Sequence, residues 1–242
     1  GELTPSMAFD VLSMGVGEAG SAGFPLVSCY LTGKELRAAA EVDASVTPIM
    51  PAAQLYMSGM VYTFNPHRMF FNRVTSCWLE EPSFATGLLE REMSRIEDDQ
   101  LYRVVTGMYS AQMLGTVKEK SLGLLSLEPK DENGVPITDF ATRVLRDGNG
   151  SEIKEWYALA AYLQSFGDEG VPERYGMPKG DGRKSVDRSW NPIELLRSPN
   201  WITLVTLLAA AAVLAAAVLL VRALVRRVRR RRYGGGRKRY RG

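Results

Sequence analysis

The pattern of apolar and polar positions divides the chain into strand-like and helix-like segments. Short runs of β-branched and aromatic residues between turn residues predict strands, and apolar residues spaced three and four apart predict helices. Strands are predicted at "AFDVLSM", "FPLVSCYL", "QLYMSGMVYTF", "FFNRVTSCWLE", "LYRVVTG" and "LGLLSLEP". Helices are predicted after the T-x-x-E capping box at Thr32, through "LLEREMSRI", around "SAQMLGTVKEK" and over "SEIKEWYALAAYLQSF", the last with a core-facing side. Together these elements predict an α+β fold with a mixed sheet and packed helices.

A glycine-rich segment, "MGVGEAGSAGFP", places Gly15, Gly17 and Gly20 in the spacing G-x-G-x-x-G. A dinucleotide site needs a strand before this spacing and a helix directly after it, because the helix N-terminus holds the pyrophosphate. Here the strand-like run "LVSCYLTG" follows the glycines. The pattern therefore predicts a loop between two strands rather than a phosphate-binding turn.

A long uncharged run, residues 201–221, lies near the C-terminus. As a helix it would be about 31 Å long, which matches the hydrocarbon core of a bilayer. Only Thr203 and Thr206 are polar within it, whereas a buried core helix normally shows a polar stripe, and Trp201 stands at an interfacial position. The run predicts a single transmembrane helix.

Charge is distributed unevenly along the chain. Eleven of the 30 basic residues lie within residues 222–242, which leaves residues 1–200 with a net charge of about −8. By the positive-inside rule the basic tail is cytoplasmic and residues 1–200 are extracytoplasmic at the cell membrane. The basic tail directly follows the span. This position favours contact with anionic lipid through residues 201–232 over the alternative, nucleic-acid binding.

Composition also indicates the domain organisation. Proline, glycine and charged residues without periodicity run from Gly170 to Asn200 and suggest a linker. We predict a globular domain over residues 1–187, a juxtamembrane linker over 188–200, the transmembrane helix over 201–221 and a basic cytoplasmic tail over 222–242.

Candidate catalytic chemistry is sparse. His67 is the only histidine and lies in a predicted hairpin turn, "NPHRM", so neither a metal centre nor a catalytic triad is indicated. The two cysteines, Cys29 and Cys77, lie in strand-like runs and are compatible with one disulfide or, more ordinarily, with two buried thiols. We expect no catalytic residue, metal ligand or cofactor in this chain.

Four segments give the chain a family resemblance. They are "GELTPSMAFDVLSMG", "FPLVSCYLTGKELRAAAE", "LYMSGMVYTFNPHRMFFNRVTSCWL" and "LYRVVTGMYSAQML". In this order they resemble the C-terminal domain of the 5'-nucleotidase family, which includes the bacterial UDP-sugar hydrolases. The correspondence runs from Gly1 to Asp187.

The resemblance implies a site for the nucleoside part of a nucleotide. In the family two aromatic side chains stack on the base, and the matching positions here are Met14, next to Gly15, and Tyr109. Gly15 would let the backbone approach a ligand closely. The family's second aromatic is followed by Gly-Gly-Asp, whose carboxylate holds the ribose, whereas this chain has Met113, Leu114 and Gly115 at the corresponding positions.

The resemblance also implies that substrate binding and catalysis lie in different domains. The family carries two divalent metals in a metallophosphatase domain that precedes this one, and we expect that domain before Gly1. The chain is thus expected to be the substrate-binding portion of a membrane-anchored 5'-nucleotidase-like phosphohydrolase of nucleotide catabolism. Whether it works as part of an enzyme stays open, since a non-catalytic cell-surface module with the same fold is the alternative.

Overall fold

The protein was analysed as a computed structural model, which describes residues 3–17, 20–51, 54–81, 92–120, 127–176 and 182–234. The chain forms two compact units, residues 1–190 and 191–242. The helices are α1 (Pro5–Leu12), α2 (Gly33–Val46), α3 (Met108–Lys120), α4 (Glu155–Gln164), α5 (Pro192–Leu195) and α6 (Trp201–Gly234). The strands are β1 (Leu26–Thr32), β2 (Met60–Phe64), β3 (Val74–Glu81), β4 (Glu92–Arg95), β5 (Leu101–Gly107) and β6 (Lys184–Val186).

The strands of the first unit form two sheets. β1 and β5 make an antiparallel pair, and the second sheet has the order β4-β3-β2-β6. Within the second sheet β2 pairs antiparallel with β3 and parallel with β6, so this sheet is mixed. The prediction of an α+β fold with a mixed sheet and packed helices is confirmed.

Helix α2 packs against both sheets through β1 and β3, and it begins at the predicted capping box. The Thr32 hydroxyl accepts a hydrogen bond from the Glu35 backbone N–H, and the Glu35 carboxylate accepts one from the Thr32 N–H at 2.8 Å. The Lys130 ammonium donates to the same carboxylate at 2.6 Å. The main core then forms from Leu31, Leu36, Ala40, Ala44, Met60, Tyr62, Phe64 and Ile96.

The segment before the glycines is a helix, so the strand predicted at "AFDVLSM" is wrong. Thr4 caps α1 by accepting a hydrogen bond from the Met7 N–H, and Pro5 occupies the first helical position, where a missing N–H costs nothing. α1 packs against α4. The glycine-rich segment therefore joins a helix to a strand.

Two further predictions differ from the structure. Residues 92–95 of "LLEREMSRI" form β4 rather than a helix, because they pair with β3 in a register that sets Trp78 opposite Arg95. The rest of that segment that falls within residues 82–91 lies outside the described residues. The strand predicted at "LGLLSLEP" falls mostly on residues 121–126, which also lie outside them, and residues 127–129 are not in a strand.

Part of the aperiodic segment that precedes the predicted linker is ordered into the sheet. β6 lies within the Gly170–Asn200 segment and pairs with β2, setting Lys184 opposite Tyr62. The Lys184 ammonium also forms an ion pair with Asp43 of α2. This end of the first unit is thus held by backbone and side-chain contacts together.

The predicted core-facing side of α4 is only partly buried. The helix is present as predicted, but no residue between Glu155 and Gln164 is fully buried, and Tyr157 is exposed. Trp156 and Leu163 are half-buried. α4 covers α1 and the glycine-rich segment rather than entering the main core.

The two cysteines are free thiols. Cys29 is buried in β1 and Cys77 is half-buried in β3, so they belong to different sheets. Burial raises the pKa of each thiol to about 11.

The second unit contains α5 and α6. Asn191 caps α5 by accepting a hydrogen bond from the Ile193 N–H at 3.1 Å. α6 is long and apolar enough over Trp201–Arg229 to cross a membrane, and its most apolar stretch of 18 residues is not buried in the protein. The helix extends to Gly234, so Arg222 and the basic residues up to Arg232 lie on the same helix as the apolar run.

Candidate functional site

The glycine loop spans residues 13–24, and its described parts, residues 13–17 and 20–24, fold back on each other. The Gly23 N–H donates to the Gly15 carbonyl and the Phe24 N–H donates to the Met14 carbonyl, both at 2.9 Å. Gly15 and Gly23 have φ of +82° and +98°, a region that side chains other than glycine rarely adopt. The two arms of the loop therefore run antiparallel and place Gly15 beside Phe24.

The Phe24 ring lies directly against the Gly15 backbone. A Cβ atom at Gly15 would stand 2.5 to 2.6 Å from three consecutive atoms of that ring, much closer than van der Waals contact allows. Nearly equal distances to three neighbouring ring atoms put the Cβ position over the face of the ring. Glycine at position 15 is thus required both by its φ and by the ring beside it.

Tyr109, which follows β5, reaches the same ring at the end of the first sheet where β1 begins. The Tyr109 and Phe24 ring centroids are 5.5 Å apart with 25° between the planes, which is a stacked arrangement. β1 and β5 pair so that Leu26 faces Gly107, and the Met108 N–H donates to the Pro25 carbonyl at 2.9 Å. This register sets the start of α3 beside the end of the glycine loop.

The residues singled out from sequence can now be located. Gly15 and Tyr109, 94 positions apart in the chain, contact the same phenylalanine ring. Met14 joins them through its backbone carbonyl, and its side chain is 78% exposed. Tyr109 is 53% exposed, so part of its ring is open to solvent. The sequence reasoning missed Phe24, although an aromatic residue before Pro25 at the end of a glycine loop was a usable signal.

The glycine loop rests on the N-terminal end of α4. The Trp156 indole N–H donates to the Ala22 carbonyl at 3.3 Å. A Cβ atom at Gly23 would stand only 2.7 Å from Cδ1 of the same indole. Phe9 of α1 packs edge-on against the same indole with 5.5 Å between centroids. The loop is therefore supported by both helices of the α1–α4 layer.

A buried ion pair lies beneath Gly17. The Lys154 ammonium is 2.6 Å from the Glu152 carboxylate, and both side chains are almost completely buried. The Lys154 ammonium also approaches the Ser21 carbonyl at 3.5 Å. A Cβ at Gly17 would collide with the charged ends of this pair. The pair consequently holds the base of the glycine loop in place.

Glu155 lies close to the aromatic pair. Its backbone N–H donates to the Phe24 carbonyl at 3.1 Å, and its carboxylate packs against the backbone of Gly107, two residues before Tyr109. Burial raises the pKa of this carboxyl above its ordinary value. The site therefore combines a ring surface with a half-buried carboxyl group.

The described part of the chain does not fit a two-metal centre. Within it, no three histidine, cysteine or acidic side chains are grouped closely enough to hold a metal ion. His67 lies in the turn after β2, as predicted, and stacks on Trp190 with 3.9 Å between centroids. No metal-dependent step is assigned to these residues.

The chain is similar to known nucleotidases. Residues 1–118 match the family described as 5'-nucleotidase, C-terminal domain. A 5'-nucleotidase precursor from Thermus thermophilus matches in structure with 20% identity and a TM-score of 0.48, over 77% of this chain and 28% of that one. The NAD nucleotidase of Haemophilus influenzae matches with 14% identity and a TM-score of 0.43, over 76% and 27%. The chain thus spans under a third of either protein, and no curated protein matches it.

Proposed function

Since this chain carries a 5'-nucleotidase C-terminal domain over residues 1–118, we propose that it is the substrate-binding portion of a membrane-anchored, extracytoplasmic phosphohydrolase of 5'-nucleotidase type. The observation that carries the proposal is the contact of Gly15 and Tyr109 with one aromatic ring. The family resemblance implies base stacking at Met14 and Tyr109, and Gly15, next to Met14, would let the backbone approach the ligand. The substrate class is a nucleotide or a related phosphate ester.

The roles within this proposal follow from the chemistry of the side chains. The Tyr109 ring offers a surface for a flat base, and the flexible Met14 thioether can pack on an aromatic ring, at about 0.3 to 1.5 kcal/mol. Gly15 admits a ligand close to the backbone. In this proposal phosphate-ester hydrolysis belongs to the two divalent metals that the family resemblance implies in a metallophosphatase domain.

The base-stacking role predicts a large effect of Tyr109→Ala on nucleoside binding. Stacking on an aromatic side chain is worth about 1 to 3 kcal/mol per base, so affinity should fall by roughly one to two orders of magnitude. The measurement is calorimetric titration of adenosine and of uridine into the full chain in lipid nanodiscs. Met14→Phe, which restores the family's residue type, should leave affinity equal or improve it.

Tyr56→Ala is the matched control for this measurement. Tyr56 is 88% exposed and lies outside the site, so its loss should leave nucleoside affinity unchanged. Equal affinities of wild type, Tyr109→Ala and Tyr56→Ala would contradict the stacking role.

A second function, a non-catalytic binding module, is favoured by two observations. Phe24 contacts both Gly15 and Tyr109, and Gly115 stands where the family has its ribose-binding aspartate. A chain that had lost nucleotide recognition would show such features. If neither adenosine nor uridine binds to wild type or to a variant without the Phe24 ring, the module becomes the better description.

The membrane part of the proposal is supported by α6. Its apolar run over residues 201–221 is followed on the same helix by Arg222, Arg226 and Arg227, which suit anionic lipid headgroups. By the positive-inside rule the C-terminus is cytoplasmic and the first unit is extracytoplasmic.

This orientation predicts the outcome of proteolysis on intact cells. An epitope tag is placed after Gly242 and detected by immunoblot. Protease added outside the cells should degrade the region before Trp201 and leave a protected fragment that contains α6 and the tag. Inside-out vesicles serve as the control and should lose the tag. A protected first unit in intact cells would reverse the proposed orientation.

A further inference from the structure

The Phe24 side chain lies where the proposed function would place a ligand. Its ring lies against the Gly15 backbone, which would otherwise be open to a ligand, and stacks on Tyr109, which is assigned to the base. We propose that Phe24 is an internal occupant of the base site, and that a flat-ring ligand binds only after the Phe24 side chain has rotated away. This inference rests on the proposed function and deepens it.

The spacing of the rings supports this assignment. A ring held between two aromatic rings needs about 7 Å between the outer planes, since each stacked contact takes about 3.5 Å. The Phe24 and Tyr109 centroids are only 5.5 Å apart. A nucleobase therefore does not fit between them, and it can stack on this face of Tyr109 only in exchange for Phe24.

The backbone of Phe24 is fixed, which confines the exchange to the side chain. Its N–H donates to the Met14 carbonyl and its carbonyl accepts from the Glu155 N–H, at 2.9 and 3.1 Å. Pro25 further restricts this residue to an extended backbone. The ring itself is only half-buried, so rotation about χ1 does not disturb the main core.

When Phe24 occupies the site, only the fraction of molecules with Phe24 rotated away can bind a ligand. The apparent affinity is the affinity of the open site multiplied by that fraction. Removing the ring should thus tighten nucleoside binding. If Phe24 were instead a platform on which the base stacks, its removal would weaken binding. The sign of the change separates the two roles.

The test is calorimetric titration of adenosine into the full chain in lipid nanodiscs, with wild type, Phe24→Ala, Phe24→Leu and Phe24→Ala/Tyr109→Ala. We expect Phe24→Ala to bind at least about 5-fold more tightly than wild type, with Phe24→Leu between them. The double variant should bind about 10-fold or more weakly than Phe24→Ala, because Tyr109 still supplies the stack. Tighter binding that survives removal of Tyr109 would place the base elsewhere and overturn the inference.

A second measurement does not depend on how well the variants fold. 4-Fluorophenylalanine at position 24 of the otherwise native chain should change its ¹⁹F resonance when adenosine saturates the site, because the ring leaves the Tyr109 face. An unchanged resonance at saturation, or weaker binding by Phe24→Ala, overturns the inference while leaving the proposed function standing. Absence of adenosine binding by both wild type and Phe24→Ala overturns both.

Discussion

Replacing Asp43 by alanine is expected to lower the free energy of unfolding by several kcal/mol, because each buried donor left without its acceptor costs about 1 to 3 kcal/mol. Asp43 is completely buried in α2. Its carboxylate accepts hydrogen bonds from the Leu55 N–H at 2.9 Å and the Thr47 hydroxyl at 3.0 Å, and from Tyr62 and Lys184. The variant would leave these donors without an acceptor and would remove the side-chain contact that ties β6 to α2.

The measurement is chemical unfolding of the full chain in detergent, followed by near-ultraviolet circular dichroism of the first unit. Asp168→Ala is the control, because Asp168 is exposed and its removal should change stability by less than about 0.5 kcal/mol. Equal unfolding midpoints for the two variants would contradict the anchoring role of Asp43.

Asp43 also gives the stability a defined dependence on pH. Burial alone would raise the pKa of its carboxyl, but hydrogen bonds from Lys184, Tyr62 and Leu55 outweigh that effect and hold the pKa below its ordinary value. The folded state thus favours the ionised form. Its contribution is complete above the ordinary pKa of aspartate and is lost as the pH falls through the lower folded-state value. Asp43→Asn should remove this contribution to the loss of stability at low pH.

Replacing Glu152 by alanine should cost a similar amount, about 3 to 5 kcal/mol, because it leaves the Lys154 ammonium buried without its carboxylate. The glycine loop should loosen at the same time, since the pair lies beneath Gly17. Chemical unfolding of the full chain in detergent measures the loss of stability. Amide hydrogen exchange over residues 13–24 measures how often the glycine loop opens.

A double variant sharpens this experiment. Glu152→Leu/Lys154→Met removes both charges and keeps apolar volume, so it should recover most of the stability lost by Glu152→Ala. Glu169→Ala, at an exposed acidic position, is the single-site control. A double variant less stable than Glu152→Ala would mean that packing rather than charge pairing sustains the loop.

The sequence was informative wherever local chemistry decides the structure. The Thr32–Glu35 capping box predicted the start of α2, and the run of β-branched and aromatic residues in "LYRVVTG" predicted β5 within its observed bounds. "AFDVLSM" was misread because a short apolar run fits a strand or a helix, and the deciding signal was the Thr4–Pro5 cap outside the run. β4 exists through pairing with β3, which local periodicity does not report.

The candidate site shows the same limit. The family resemblance selected Met14, Gly15 and Tyr109, but nothing local to these segments indicates that they meet. Gly15 and Tyr109 contact the same Phe24 ring because the β1–β5 register aligns Leu26 with Gly107. Phe24 acquires its position from that long-range pairing and from the backward fold of the glycine loop. A single sequence contains no direct signal for either.

The buried thiols make the chain suited to site-specific chemical labelling. With a pKa of about 11, Cys29 and Cys77 are ionised in only about one molecule in 4,000 at pH 7.4. A solvent-exposed cysteine with a pKa of about 8.5 is ionised about 300 times more often and reacts with maleimides correspondingly faster. A probe can therefore be attached to a cysteine introduced at an exposed position such as Tyr56 while both native cysteines stay in place.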